Sequence, residues 1–175
     1  MGQTRLGAYN FPLSQRRNPV KIERHLENEE ATYQLAAALA QTLRPGLVVY
    51  LVGNLGAGKT TLVRGMLRSL GYRDKVKSPT FTLVELYNVS RLCLYHFDFY
   101  RFNHPDEWEE AGFRECFGPS TTCLIEWPEK AGSRLPRADL RITLKIADIG
   151  RDTTIEAETE AGKECLRQLQ SSLGP

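Results

Sequence analysis

The sequence predicts an α/β fold, a layered domain built on a mixed central sheet. Three observations predict it. "LVVYLVG" is a continuous apolar run that leads, through a Gly-rich stretch, into the amphipathic segment "KTTLVRGMLRSLGY". "SPTFTLVELY" and "RLCLYHFDFY" are strand-like runs with only "NVS" between them, a connection too short for a parallel crossover, so they form an antiparallel hairpin. "LRITLKI" and "DTTIEAE" alternate apolar and polar residues on either side of "ADIGR" and give a second hairpin. Helical segments interleaved with such runs layer against the sheet.

The elements follow in order. Residues 1–22 contain no acid, carry Arg5, Arg16, Arg17 and Lys21, and show no helical or strand period. They are expected to form a flexible basic extension, with a targeting peptide or an RNA-touching arm as the alternatives, and residues 23–175 as one domain. "NEEATYQLAAALAQTLRPG" is a helix with both ends marked: Asn28 is an N-cap, Glu29 and Glu30 suit the positive end of the dipole, and Pro45 with Gly46 stops it. The "LVVYLVG" strand follows, then the Gly-rich loop, then a helix with Leu62, Met66 and Leu70 on one face and Gly71 as its stop. After the first hairpin, "HPDEWEEAGFRECF" has Pro105 in a helical first turn with acids after it, which predicts a helix. "TTCLIEWPE" is a short buried strand. "AGKECLRQLQSSL" closes the chain as a helix, with Leu166, Leu169 and Leu173 in phase.

Composition excludes several classes of protein. The 175 residues are 41% hydrophobic and 25% charged, enough to bury a core without covalent staples. A net charge of +2 is too mild to mark a nucleic-acid binder by itself. No apolar run approaches the roughly 18 residues that cross a bilayer, and the N-terminus lacks the apolar stretch of a secretory signal, so a cytoplasmic protein without a membrane partner is expected. Cys93, Cys116, Cys123 and Cys165 form no CxxC pair; they read as free thiols in a reducing compartment rather than a zinc site.

Gly53 to Thr60 matches G-x-x-x-x-G-K-[ST], a pattern that chance supplies about once in a hundred chains of this size. A buried strand before it and an amphipathic helix after it are the context this motif requires. Gly53, Gly56 and Gly58 permit backbone angles and close approach that a side chain would block. The N–H groups of Asn54, Leu55, Ala57 and their neighbours then line an anion-binding nest, reinforced by the helix N-terminus. Lys59 is placed to reach β- and γ-phosphates and the Thr60 hydroxyl to ligate Mg2+, with Thr61 next in the phosphate-binding run. The chain therefore predicts a P-loop NTPase-like, three-layer architecture.

Phosphoryl chemistry also needs acids near the metal. Asp98 in "LCLYHFD" and Glu126 in "TCLIE" end apolar strands, where an open α/β sheet presents its ligands. One is expected at Mg2+ and the other at the attacking water, with the division of labour left open. "SPT", Ser78 to Thr80, reads either as a nucleotide-sensing loop or as a plain turn into a strand. His96 shares a strand layer with Asp98, and a packed, hydrogen-bonded histidine is favoured over a catalytic base. Trp127 suits stacking on a base or partner as well as it suits the core. "YRDKVK" reads as a solvated basic face, with docking of RNA or an acidic partner as the alternative. Neither the N/T-K-x-D that reads guanine nor "LSGGQ" occurs, so the nucleotide is expected to be ATP.

"GNLGAGKTTLVRGMLRSLG", "VKSPTFTLVELY", "YHFDFYRF", "EWEEAGFRECF", "LIEWPEKAG" and "LP" occur in the order and spacing of the TsaE family, formerly described as YjeE-type P-loop ATPases. The resemblance covers about residues 26–157. It implies a cytoplasmic bacterial ATPase with weak intrinsic activity, using ATP and Mg2+. It implies work with TsaB and TsaD, in placing threonylcarbamoyl on the N6 of the adenosine beside the tRNA anticodon, without performing the transfer itself. Contact with tRNA would be indirect, through that complex. Residue by residue, it implies that Gly53 to Thr61 bind the triphosphate, that Thr60 and Glu126 ligate the metal, and that Asp98 is the essential strand-end acid. It further implies that Glu29 and Arg151 flank the nucleotide. A P-loop metabolite kinase and a nucleotide-dependent binding module remain the alternatives.

Overall fold

A computed structural model describes residues 21–173. The seven strands are β1 (Lys21–Leu26), β2 (Val48–Val52), β3 (Val84–Val89), β4 (Leu92–Asp98), β5 (Thr121–Glu126), β6 (Leu140–Ile146) and β7 (Arg151–Ala157). They form one sheet in the order β1-β7-β6-β2-β5-β4-β3. The four central strands, β6, β2, β5 and β4, run parallel, and each flank is antiparallel. Both predicted hairpins, β3–β4 and β6–β7, are present.

Helices α1 (Glu29–Thr42), α2 (Lys59–Ser69) and α4 (Glu160–Leu173) cover one face. Asn28 caps α1 as expected: its side chain accepts the Ala31 N–H at 2.9 Å. The helices bury Leu35, Leu39, Leu62, Met66, Leu166 and Leu169 over the sheet residues Leu51, Leu94, Leu124 and Ile155. Apolar side chains at helical spacing thus meet the alternate residues of apolar strands in one core.

The other face carries an aromatic core of Phe97, Phe99, Phe102, Trp108 and Tyr50. Here the sequence expectation needs correction. Instead of one helix over "HPDEWEEAGFRECF", residues 104–117, there is a four-residue helix, α3 (Glu107–Glu110), followed by a 3-10 turn at Phe113–Cys116. Gly112, in the left-handed conformation at φ +70°, breaks the helix between them. The break lets Trp108 and Phe113 both contact Phe97 and Phe99, which a straight helix would not allow.

Two boundaries also move. β1 was not expected: Lys21 and Ile22, assigned to the basic extension, pair with Glu156 and Ile155 of β7. Residues 1–20 of that extension lie outside the described residues. The run "SPTFTLVELY" becomes strand only at Val84; Ser78–Leu83 turns back toward the sheet's carboxyl end, held by the Leu83 N–H on the Pro79 carbonyl at 2.6 Å.

Candidate nucleotide site

β2 delivers the loop to the carboxyl edge of the sheet, between β5 and β6. At Gly53, φ is +152° and a Cβ would stand 2.4 Å from the Leu144 carbonyl oxygen; at Gly58, φ is +101° and a Cβ would stand 2.9 Å from the Arg151 guanidinium. Only glycine fits either position. Gly58 is the N-cap of α2 and supplies no side-chain hydrogen bond, so the first-turn N–H groups of α2 keep their donors for an anion. A cavity of about 310 Å3 opens there, between the loop, the Ser78–Thr80 turn and the ends of β4 and β5.

Lys59 is buried at 4% exposure. Its Nζ donates to the carbonyls of Gly53 at 2.6 Å and Asn54 at 3.0 Å, and lies 4.0 Å from the centre of the Trp127 ring. Burial pushes its pKa below the usual lysine range, against the opposing pull of Glu126, Asp98 and Glu129.

Asp98 and Glu126 stand side by side, because β4 and β5 pair in parallel with these two residues in register. Both are buried, at 3% and 2% exposure. Glu126 Oε1 accepts the Thr60 hydroxyl at 2.8 Å and lies 2.9 Å from His96 Nε2. Asp98 Oδ2 accepts the Ser78 hydroxyl and, at 2.6 Å, the Thr80 hydroxyl; its Oδ1 accepts the Tyr100 N–H at 3.0 Å. The "SPT" turn is therefore both a turn and a part of the site.

The structure thus brings Leu55, Gly56, Gly58, Lys59, Thr60, Thr61, Asp98 and Glu126 to one cavity. Asn54 contributes its carbonyl to Lys59 and to the Ala57 N–H, while the Ala57 side chain is buried in the core. Arg151 lies against Gly58, outside the cavity lining, with Nη1 3.5 Å from the Thr32 hydroxyl and Nε buried without a partner. Glu29 is exposed, accepts the Tyr33 hydroxyl at 2.6 Å, and does not line the cavity. Sequence reasoning missed Tyr100, which lines the mouth and packs on Trp127 with 5.1 Å between ring centres. The "HFDFYR" stretch held it in plain view, but nothing in its pattern separates a lining tyrosine from a core one.

The residues present fit a hard cation beside a phosphate. The cavity offers carboxylate and hydroxyl oxygens, which suit Mg2+. Among the described residues no group of three or more His, Cys, Asp or Glu could hold a metal ion.

The family model described as threonylcarbamoyl adenosine biosynthesis protein TsaE matches residues 26–154. The chain belongs to the TsaE family. Among its relatives, a Haemophilus influenzae protein called tRNA threonylcarbamoyladenosine biosynthesis protein TsaE is 48% identical over 120 residues, 69% of this chain and 76% of that one. A Bacillus subtilis protein of the same name is 42% identical over 131 residues, 74% of this chain and 82% of that one. The crystal structure of Bacillus subtilis YdiB superposes with a TM-score of 0.77 at 31% identity, covering 89% of this chain and 98% of that one. The TsaE match begins at the last residue of β1 and ends within β7, so it takes in the whole cavity and leaves out α4. Among the described residues no helix is long and apolar enough to cross a membrane.

Proposed function

We propose that the protein is a Mg2+-dependent ATPase of tRNA threonylcarbamoyladenosine biosynthesis that works with a TsaB–TsaD pair and does not itself transfer the threonylcarbamoyl group. The observation that carries the ATPase reading is the Thr60–Glu126 hydrogen bond at the mouth of the Gly53–Thr61 loop, with Asp98 in register beside it. The names of the relatives carry the pathway. The resemblance in "SPTFTLVE", "HFDFYR" and "IEW" carries the partners, with tRNA contacted through the complex.

In this reading the loop N–H groups and α2 N-terminus hold the triphosphate. Lys59 leaves the Gly53 and Asn54 carbonyls and turns its ammonium to the β- and γ-phosphates. Thr60 and Glu126 would hold Mg2+, which when bound neutralises charge on the phosphate oxygens. Asp98, fixed by Ser78, Thr80 and the Tyr100 N–H, orients the attacking water and draws on its proton. Arg151 stands behind Gly58 and braces the loop.

The test mixes the protein with ATP, Mg2+, TsaB and TsaD and follows phosphate release, complex formation and tRNA modification. Release that rises with the partners, and is lost in Glu126→Gln and Asp98→Asn, supports the reading. Phosphorylation of a small metabolite without the partners sinks it in favour of a kinase. Full tRNA modification by both variants sinks it in favour of a binding module.

A further inference from the structure

His96 stands behind the cavity lining, against Glu126, and the nucleotide reading leaves its placement unexplained. It is fully buried on β4, with its Nε2 2.9 Å from Glu126 Oε1. Its Nδ1 is buried with no hydrogen-bond partner. A histidine held only for packing would be better replaced by an apolar side chain of similar size, because an unpaired buried nitrogen destabilises the fold. What sets His96 apart from such a residue is the contact that Nε2 makes.

That contact reaches diagonally across the β4–β5 ladder. Asp98 pairs with Glu126 and His96 with Leu124, so His96 sits one layer below the carboxylate, on the same face of the sheet. The Thr60 hydroxyl approaches the same oxygen from α2 at 2.8 Å. The Thr60 hydroxyl and the His96 ring nitrogen, on different elements, therefore converge on Oε1, while no hydrogen bond from the described residues reaches Oε2. A carboxylate held at one oxygen by two donors cannot rotate freely, and it presents its other oxygen in a fixed direction.

We propose that His96 is a positioning residue: by donating Nε2–H to Glu126 Oε1 it sets the carboxylate for the cation that the nucleotide brings. The proposal rests on the Mg2+–ATP reading above. His96 touches neither phosphate nor metal in it and acts only through Glu126. Partners that orient a ligating carboxylate typically change metal affinity by about 10- to 100-fold when removed.

The test uses the full-length protein and three variants. His96→Gln keeps a donor near the Nε2 position. His96→Asn is polar but too short to reach Glu126, and His96→Leu removes polarity altogether. ATP affinity is measured by calorimetry with Mg2+ and again with EDTA, and the ratio of the two is the readout. His96→Asn and His96→Leu are expected to lower that ratio by about tenfold or more with the EDTA affinity unchanged, while His96→Gln stays within about threefold of the parent. An unchanged ratio in His96→Leu or His96→Asn that melts cooperatively overturns the proposal. So do equal losses with and without Mg2+, or failure of all three variants to fold, either of which makes His96 structural. If the parent protein binds ATP without any dependence on Mg2+, the cation site itself falls, and the role of His96 with it. If it depends on Mg2+ and only the variants fail to respond, His96 alone is misassigned.

Discussion

Lys59 concentrates the residue-scale argument. Its ammonium is buried yet occupied by two carbonyls and an indole face, so Lys59→Ala removes the charge that the proposed function assigns to phosphate without removing core. The variant is expected to keep a cooperative thermal melt and lose the stabilisation that Mg2+–ATP confers; stabilisation that survives would contradict the assignment. The lowered pKa of Lys59 gives a pH dependence. If the protonated form binds phosphate, as proposed, affinity is expected to fall as pH rises through a value below the ordinary lysine range, with a proton taken up on binding in that window. Calorimetry in two alkaline buffers of different ionisation enthalpy reads the uptake. For the nucleotide-free protein the sign is opposite: the unfolded chain holds this proton more tightly, so Lys59 makes stability rise with pH across the same window. Burial also pushes the Cys123 thiol up to about 12, and Cys165 is buried as well. Alkylation of the native protein followed by mass spectrometry is expected to spare both and modify only Cys93 and Cys116, which are partly exposed. Lys59, Thr60, Asp98 and Glu126 were legible because motif spacing and strand ends fix them. The Lys59–Trp127 contact was not, because it depends on Trp127 adopting φ +59° just past β5.

Elements were legible where a local signal agreed with the packing. Asn28 is such a signal, and Asn28→Ala is expected to lower stability by about 1 kcal/mol, read from denaturant melts. The 104–117 segment shows the reverse case: its first turn reads as helix, yet an aromatic core needing both Trp108 and Phe113 overrides propensity at Gly112. β1 was invisible because only Ile22 and Leu26 are buried and the residues between them are exposed, so no period of two appears. The Ser78–Thr80 turn has a chemical consequence of its own. Removing both hydroxyls as Ser78→Ala/Thr80→Ala frees Asp98 from two donors. ATP turnover is expected to fall at least about tenfold while ATP affinity holds; a parallel loss of affinity would make the turn a binding element instead.

Across the whole molecule, the parallel centre of the sheet carries the loop and both acids to one edge, and the antiparallel flanks complete the two cores without entering the cavity. The site therefore belongs to β2, β4, β5 and α2, and nucleotide binding should stabilise them as one unit. At a concentration of Mg2+–ATP 100 times its dissociation constant the gain is about 2.7 kcal/mol, seen as a raised denaturant midpoint with unchanged slope. The two tryptophans divide between the two tasks of the fold. Trp108 is sealed in the aromatic core at 1% exposure, whereas Trp127 sits at the cavity with an ammonium over its ring. The molecule thus contains its own pair of optical probes. Emission from Trp108 reports whether the chain is folded. Emission from Trp127 is expected to respond to the charge above it and to change on addition of Mg2+–ATP, so Trp127→Phe and Trp108→Phe would separate the spectroscopy of folding from that of the proposed nucleotide capture.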